Sequence, residues 1–203
     1  MKNFRATISV INSILPIGID TINYLENNFQ LKTFKRGDII INEGEITDEL
    51  YLIRKGLIRG LRNFKETPIT FWISVDFEFF TSSSYFFNTP SDETIECIED
   101  CVLDYLTFDQ VRYAINHFDD FKEFYIKNLE LYYKYSQLRS VLSRIPLSKN
   151  RISYFLNNYN PKIIERTPDK IISSFLNVKP ETYSRIKKQI IKESKVNTMI
   201  LEL

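Results

Sequence analysis

The residues best suited to chemistry lie near the end of the 203-residue chain, in Glu181-Thr182-Tyr183-Ser184-Arg185, followed by Lys187, Lys188 and Lys192. On a helix opening at Pro180, Glu181, Thr182, Ser184 and Arg185 fall in the first exposed turns, with Lys187 and Lys188 behind them. Such a set suits the major groove of a duplex. Arginine grips guanine O6 and N7 together, glutamate accepts from cytosine N4, and serine, threonine and lysine meet base edges or phosphates. A solvated charged helix face is the plainer reading of the same string.

Other chemistry is poorly supplied. Cys97, Cys101 and the single His117 cannot fill a four-ligand zinc site, and two cysteines make no disulfide framework. One histidine also starves most acid-base and triad mechanisms. The five glycines form neither G-x-G-x-x-G nor a P-loop. The expectation is a protein that is not an enzyme and uses neither cofactor nor metal. The charge is divided along the chain. Residues 1–143 hold 15 Lys and Arg against 21 Asp and Glu, whereas residues 144–203 hold 12 against 5. A basic end on an acidic body fits an appended polyanion-binding module, or simply a basic surface. No export signal and no long apolar run are found, so the expected location is cytoplasmic, away from any membrane.

The basic end must be positioned by helices, expected at Ser148–Tyr159, Pro168–Phe175 and from Pro180 to about Lys192. Thr167 is read as an N-cap with Pro168 at the first helical position. Leu176-Asn177-Val178-Lys179 makes a short connection in which Asn177 takes the left-handed conformation. The result is a helix-turn-helix, its small core built from Ile171, Ile172, Phe175, Leu176, Val178, Tyr183 and Ile186. Val196 to Leu203 offers one hairpin at most as a wing.

Ahead of it, after a helix at Asp20–Asn27, β-type runs recur at roughly ten-residue spacing from Leu31 to Leu106, the pattern of a sandwich or barrel. Thr107-Phe108-Asp109-Gln110 is a capping box that opens a helix. From Asp119 to Ile145 a longer helix, about 40 Å at 1.5 Å per residue, carries Phe121, Phe124, Asn128, Leu131, Tyr135, Leu138 and Leu142 at alternating spacings of three and four. A second stripe, Tyr125, Leu129 and Tyr132, is expected to pack on the strand-rich body. The heptad seam is then left for a second copy, with Asn128 setting register, although both stripes lying in one intramolecular core is the simpler alternative.

With these residues in view, the chain from about Leu31 onward resembles the Crp/Fnr (catabolite-activator and fumarate-nitrate-regulator) family of bacterial transcription regulators. The match rests on the E-x-x-S-R pattern of residues 181–185, on Phe34-Lys35-Arg36-Gly37-Asp38-Ile39-Ile40, on Glu43-Gly44-Glu45, and on Leu50-Tyr51-Leu52-Ile53-Arg54-Lys55-Gly56. The resemblance implies an α+β chain: a jelly-roll, cyclic-nucleotide-binding-like β-roll over residues 1–118, a long dimerisation helix over 119–146, and a winged helix-turn-helix domain over 147–203. It also implies a homodimer on a two-fold DNA operator, with RNA polymerase and a small-molecule effector, or none, as further partners. A sensor or scaffold with a degenerate DNA-binding end is the alternative.

Departures from the family pattern shape this expectation. Residues 76–92, where cyclic-nucleotide members carry their phosphate cassette, contain neither glycine nor a basic side chain. No response to cyclic nucleotides is therefore expected. Phe79, Phe80, Ser82, Ser83 and Tyr85 either fill the pocket or line one for a different effector. Two cysteines do not supply an iron-sulfur cluster, and His117 reads as a packed or capping residue. Pro180 stands where many relatives carry a basic side chain.

Overall fold

The computed structural model describes residues 4–65 and 67–201. The chain divides into two compact units, Met1–Tyr135 and Ser136–Leu203.

The first unit opens with helices α1 (Arg5–Ile14) and α2 (Ile19–Asn28). Eight strands follow: β1 (Gln30–Phe34), β2 (Ile39–Ile41), β3 (Glu49–Lys55), β4 (Leu57–Phe64), β5 (Thr67–Val75), β6 (Phe79–Phe80), β7 (Thr94–Cys97) and β8 (Cys101–Thr107). They form two antiparallel four-stranded sheets, ordered β1-β8-β3-β6 and β2-β7-β4-β5, which make a β-roll. The α+β class expected from the sequence is the class observed. Between β6 and β7 lies the one-turn helix α3 (Ser83–Phe87), and after β8 come α4 (Phe108–His117) and the long α5 (Asp119–Arg144), whose residues from Ser136 onward belong to the second unit.

Strand alternation sorts the side chains into two cores. Tyr51, Ile53, Ile58, Phe80, Ile95, Cys97, Cys101 and Leu103 cluster inside the roll. Leu50 and Leu106, on the opposite face of their strands, join Phe4, Ile8, Ile11, Leu25, Val111, Phe121 and Phe124 in the core beneath the helices. The Thr107 hydroxyl accepts from the Gln110 N–H while Gln110 accepts from the Thr107 N–H, so the expected capping box starts α4. Asp104, wholly buried in the sheet, accepts from Thr7 of α1 and from the Arg54 guanidinium, 2.7 Å away, which also lies 5.3 Å from the centre of the Phe4 ring. At the start of α5, Asp120 accepts from the Gly18 N–H at 2.6 Å and the Thr21 hydroxyl at 2.7 Å, fastening α2 to that helix.

The second unit holds α6 (Ser148–Asn158), α7 (Pro161–Arg166), α8 (Asp169–Phe175) and α9 (Pro180–Leu201), with α6 and α8 packed on α9. Its buried side chains include Ile152, Phe155, Ile163, Ile172, Leu176, Tyr183 and Ile186.

Three expectations are corrected. Thr167 does not cap α8: it closes α7, Pro168 occupies the N-cap place, and Asp169 is the first helical residue. The short hairpin is replaced by continuation of α9 to Leu201, Glu202 and Leu203 lying outside the described residues. Helix formers such as Lys192, Glu193 and Lys195 follow one another there without glycine or proline, so propensity favours one more stretch of helix.

The third correction concerns the faces of α5. Phe121 and Phe124, assigned to the outward seam, are buried in the core of their own unit, where Phe124 meets Phe79 edge-on at 5.6 Å. Tyr125 packs beside them, against the same core as Tyr85. Leu129 and Tyr132, expected against the body, are exposed, as are Ile126, Tyr133, Tyr135 and Val141. Heptad spacing defines a stripe without saying what covers it; the largest rings of α5 went where helices α2 and α4 and the sheet face already offered apolar surface.

Candidate nucleic-acid interface and the roll interior

The connection between α8 and α9 is built from backbone hydrogen bonds. The Val178 N–H reaches the Ser173 carbonyl at 3.0 Å and the Asn177 N–H reaches that of Ser174 at 3.1 Å. This is the Schellman pairing. Asn177 stands at φ 50°, the left-handed conformation expected of it, which its short polar side chain tolerates. The Tyr183 N–H then bonds the Lys179 carbonyl, and Tyr183 and Ile186 bury the inner face of α9. One tight turn thus fixes where α9 begins.

On the outer face, Glu181, Arg185 and Lys188 are exposed at spacings of four and three, a continuous stripe, with Thr182 half-buried at its edge. Ser184 and Lys187 are placed differently. The Ser184 hydroxyl lies 3.4 Å from Asp169 Oδ2, and Lys187 Nζ lies 3.1 Å from Asp169 Oδ1 and 5.3 Å from the centre of the Tyr183 ring. The structure therefore separates the six residues expected to meet DNA into an outward group and a pair held to α8. Asp169 was not visible as a participant in the sequence. Its partners lie 15 and 18 positions away, and its acidity in a first helical turn has a sufficient local explanation in the helix dipole.

Inside the roll, Phe80 stacks on Tyr51 with ring centres 4.9 Å apart and planes 9° from parallel, and Trp72 lies 6.2 Å from Phe80. The Trp72 indole donates to Glu93 at 2.7 Å. Of the candidate effector residues, Phe80 joins this packing and the others are held elsewhere. Phe80 and Tyr85 are buried, and Phe79 is turned to the helix-side core. The Ser82 and Ser84 hydroxyls lie 2.6 Å apart, Ser84 also donating to the Thr47 carbonyl, and Ser83 donates to Asp92 at 3.0 Å. The serine run is thus no bare loop: Ser82 caps α3 by accepting from the Ser84 N–H. Arg62 reaches this segment through an ion pair with Asp92.

Cys97 and Cys101 are both buried and free, with the Cys97 thiol hydrogen-bonded to Cys101. That bond, together with burial, pushes the Cys97 thiol well above its ordinary value. His117 sits exposed at the end of α4, stacked 3.8 Å from the Tyr113 ring, with Nδ1 2.8 Å from the Tyr113 carbonyl. Among the described residues, no group of three His, Cys, Asp or Glu is arranged to hold a metal ion. Nor is any described helix long and apolar enough to cross a membrane.

Comparison with known proteins agrees with this architecture. Residues 31–117 match the family described as the cyclic nucleotide-binding domain. No curated protein sequence gives a significant match. Among solved structures, FixK2 from Bradyrhizobium japonicum is similar at a TM-score of 0.69 with 14% identity, covering 82% of this chain and 86% of its own. A cyclic nucleotide-binding domain containing protein from Listeria monocytogenes gives 0.70 with 12% identity, covering 93% and 92%. A protein of Eubacterium rectale assigned to the Crp/Fnr transcriptional regulators gives 0.63 with 17% identity, covering 89% and 88%. Residues 31–117 are thus similar to the cyclic nucleotide-binding domain, and the chain has the fold of the Crp/Fnr proteins, in agreement with the resemblance read from its sequence.

Proposed function

We propose that this chain is a cytoplasmic, non-enzymatic transcription regulator of the Crp/Fnr type, which binds a two-fold DNA operator as a homodimer. The observation that carries the reading is the exposed stripe of Glu181, Arg185 and Lys188 on the first turns of a helix fixed by a tight turn and a buried face. Arg185 reads a guanine, Glu181 accepts from a cytosine, Thr182 meets a base edge and Lys188 meets phosphate. The exposed Leu129, Tyr132, Tyr133 and Tyr135 of α5 support pairing with a second copy, because an apolar helix face of this size is costly to leave in water. RNA polymerase is a further partner on this reading.

Cyclic nucleotides are not its effectors. Tyr51, Phe80 and Trp72 pack together inside the roll, and residues 76–92 bring no cation to a cyclic phosphate. A buried anion without counter-charge costs more than stacking its base returns.

Mobility shift of the full chain with genomic fragments, at rising salt, tests the reading. A selective complex with a steep salt slope supports it. Uniformly weak binding to every fragment favours the second reading, a sensor acting through protein contacts. The continuation of α9 in place of a hairpin wing speaks for that alternative.

A further inference from the structure

Asp169 touches two of the six residues whose types suit DNA, and it reaches them from the neighbouring helix. It is the first residue of α8, with its side chain 45% exposed, whereas that of Lys187 is only 25% exposed. The lysine stem is laid against the Tyr183 ring, and its ammonium is turned to the carboxylate. Tyr183 itself is wholly buried, so the pair rests on a packed ring. Such a partly shielded ion pair, with a second hydrogen-bond donor on the same carboxylate, is better organised than an open surface pair.

The consequence is electrostatic. Lys187 contributes a full cation to the formal charge of the basic unit, yet an anion held beside it cancels that charge for anything approaching from outside. Asp169 would itself repel a phosphate brought close to the start of α8.

We propose that Asp169 is a positioning and specificity-determining residue of the DNA-binding end. It clasps Ser184 and Lys187 to α8, fixes the angle of α9, and withdraws Lys187 from phosphate neutralisation. Recognition is thereby left to Glu181, Thr182, Arg185 and Lys188. This inference rests on the DNA-binding reading above and deepens it: the clasp lowers sequence-independent attraction and leaves base reading unchanged, which raises the ratio of specific to non-specific binding.

The test compares the intact chain with Asp169→Asn, Lys187→Ala and the double variant, measuring affinity for a selected fragment and for random duplex across a salt series. Lys187→Ala alone is expected to change affinity less than twofold. Asp169→Asn should steepen the slope of log affinity against log salt by about 0.9, the value for one added phosphate contact. Its gain should fall mainly on random duplex, and the double variant should return to the parental slope. An unchanged slope in Asp169→Asn, or a loss in Lys187→Ala as large as that in Lys188→Ala, overturns the proposal.

If the parental chain forms no salt-sensitive complex with any duplex, it is the DNA-binding reading that fails. The clasp is then decided by a double-mutant cycle on urea midpoints. Coupling between positions 169 and 187 upholds it, and strict additivity overturns it.

Discussion

Trp72 lies so close over Gly60 that a Cβ placed at position 60 would stand 2.2 Å from the indole Nε1. The absent side chain is what allows the ring to settle between Phe80 and Glu93. Gly60→Ala should push the indole off its hydrogen bond and destabilise the roll by about 1–3 kcal/mol. Trp72 is the sole tryptophan, so its emission in a urea titration reports both the displacement and the shifted midpoint. An unchanged midpoint and spectrum would show that the indole can move aside freely.

The buried ion pair between Arg54 and Asp104 gives a second expectation. Asp104 has no exposure, and removing Arg54 leaves it with the Thr7 hydroxyl alone among the partners described above. Arg54→Ala should cost on the order of 3–5 kcal/mol, the usual penalty for stranding one member of a buried pair. Adding Asp104→Leu should recover part of the loss. Urea denaturation of the two variants checks both statements.

Acid sensitivity follows from Asp120. Burial opposes its charge, but hydrogen bonds from Thr21, Gly18 and Phe121 outweigh burial and hold the carboxyl below its ordinary value. A carboxylate lowered in the folded state contributes stability above its unfolded value, near pH 4 by the usual aspartate range, and loses that contribution as pH falls through the folded value. Stability measured from pH 6 downward should therefore fall less steeply in Asp120→Asn than in the parent. Parallel curves would remove Asp120 from the acid limb.

The two faces of α5 should separate by experiment. Phe124→Ala should lower stability by about 3–5 kcal/mol, as expected for a large ring removed from a core. Leu129→Asp combined with Tyr133→Asp should leave the fold intact and shift sedimentation from dimer to monomer. Retention of the dimer in that variant would place the interface elsewhere.

For recognition itself, Arg185→Ala should cost about 1–3 kcal/mol against the correct base pair, while Lys188→Ala should weaken all sequences alike. Competition mobility shifts with single-base operator variants distinguish the two. Equal losses on specific and random duplex for Arg185→Ala would remove its assigned role.

Much of the roll was legible because strand alternation, glycine punctuation and a capping box act locally. The β-type runs expected from Leu31 to Leu106 are found as strands over Gln30 to Thr107, and Asn177 takes its left-handed conformation. Helix α1 was overlooked although Phe4, Ile8 and Ile11 recur at helical spacing, and α7 although Asn160-Pro161 is a cap followed by proline. Those signals were present. The side of α5 that would be covered was not, because amphipathic spacing is silent about partners far away in the chain. Nor did the sequence reveal that Ser184 and Lys187 would be held by Asp169, since that clasp exists only once α8 and α9 cross.

Cys97 and Cys101, the chain's entire thiol content, lie sealed within the roll. A thiol-selective alkylating reagent added to the native protein has no thiol to modify until the sheets part. Its rate of consumption is therefore a chemical clock for transient opening of the barrel, readable without label or mutation, and any ligand that tightens the roll should slow it.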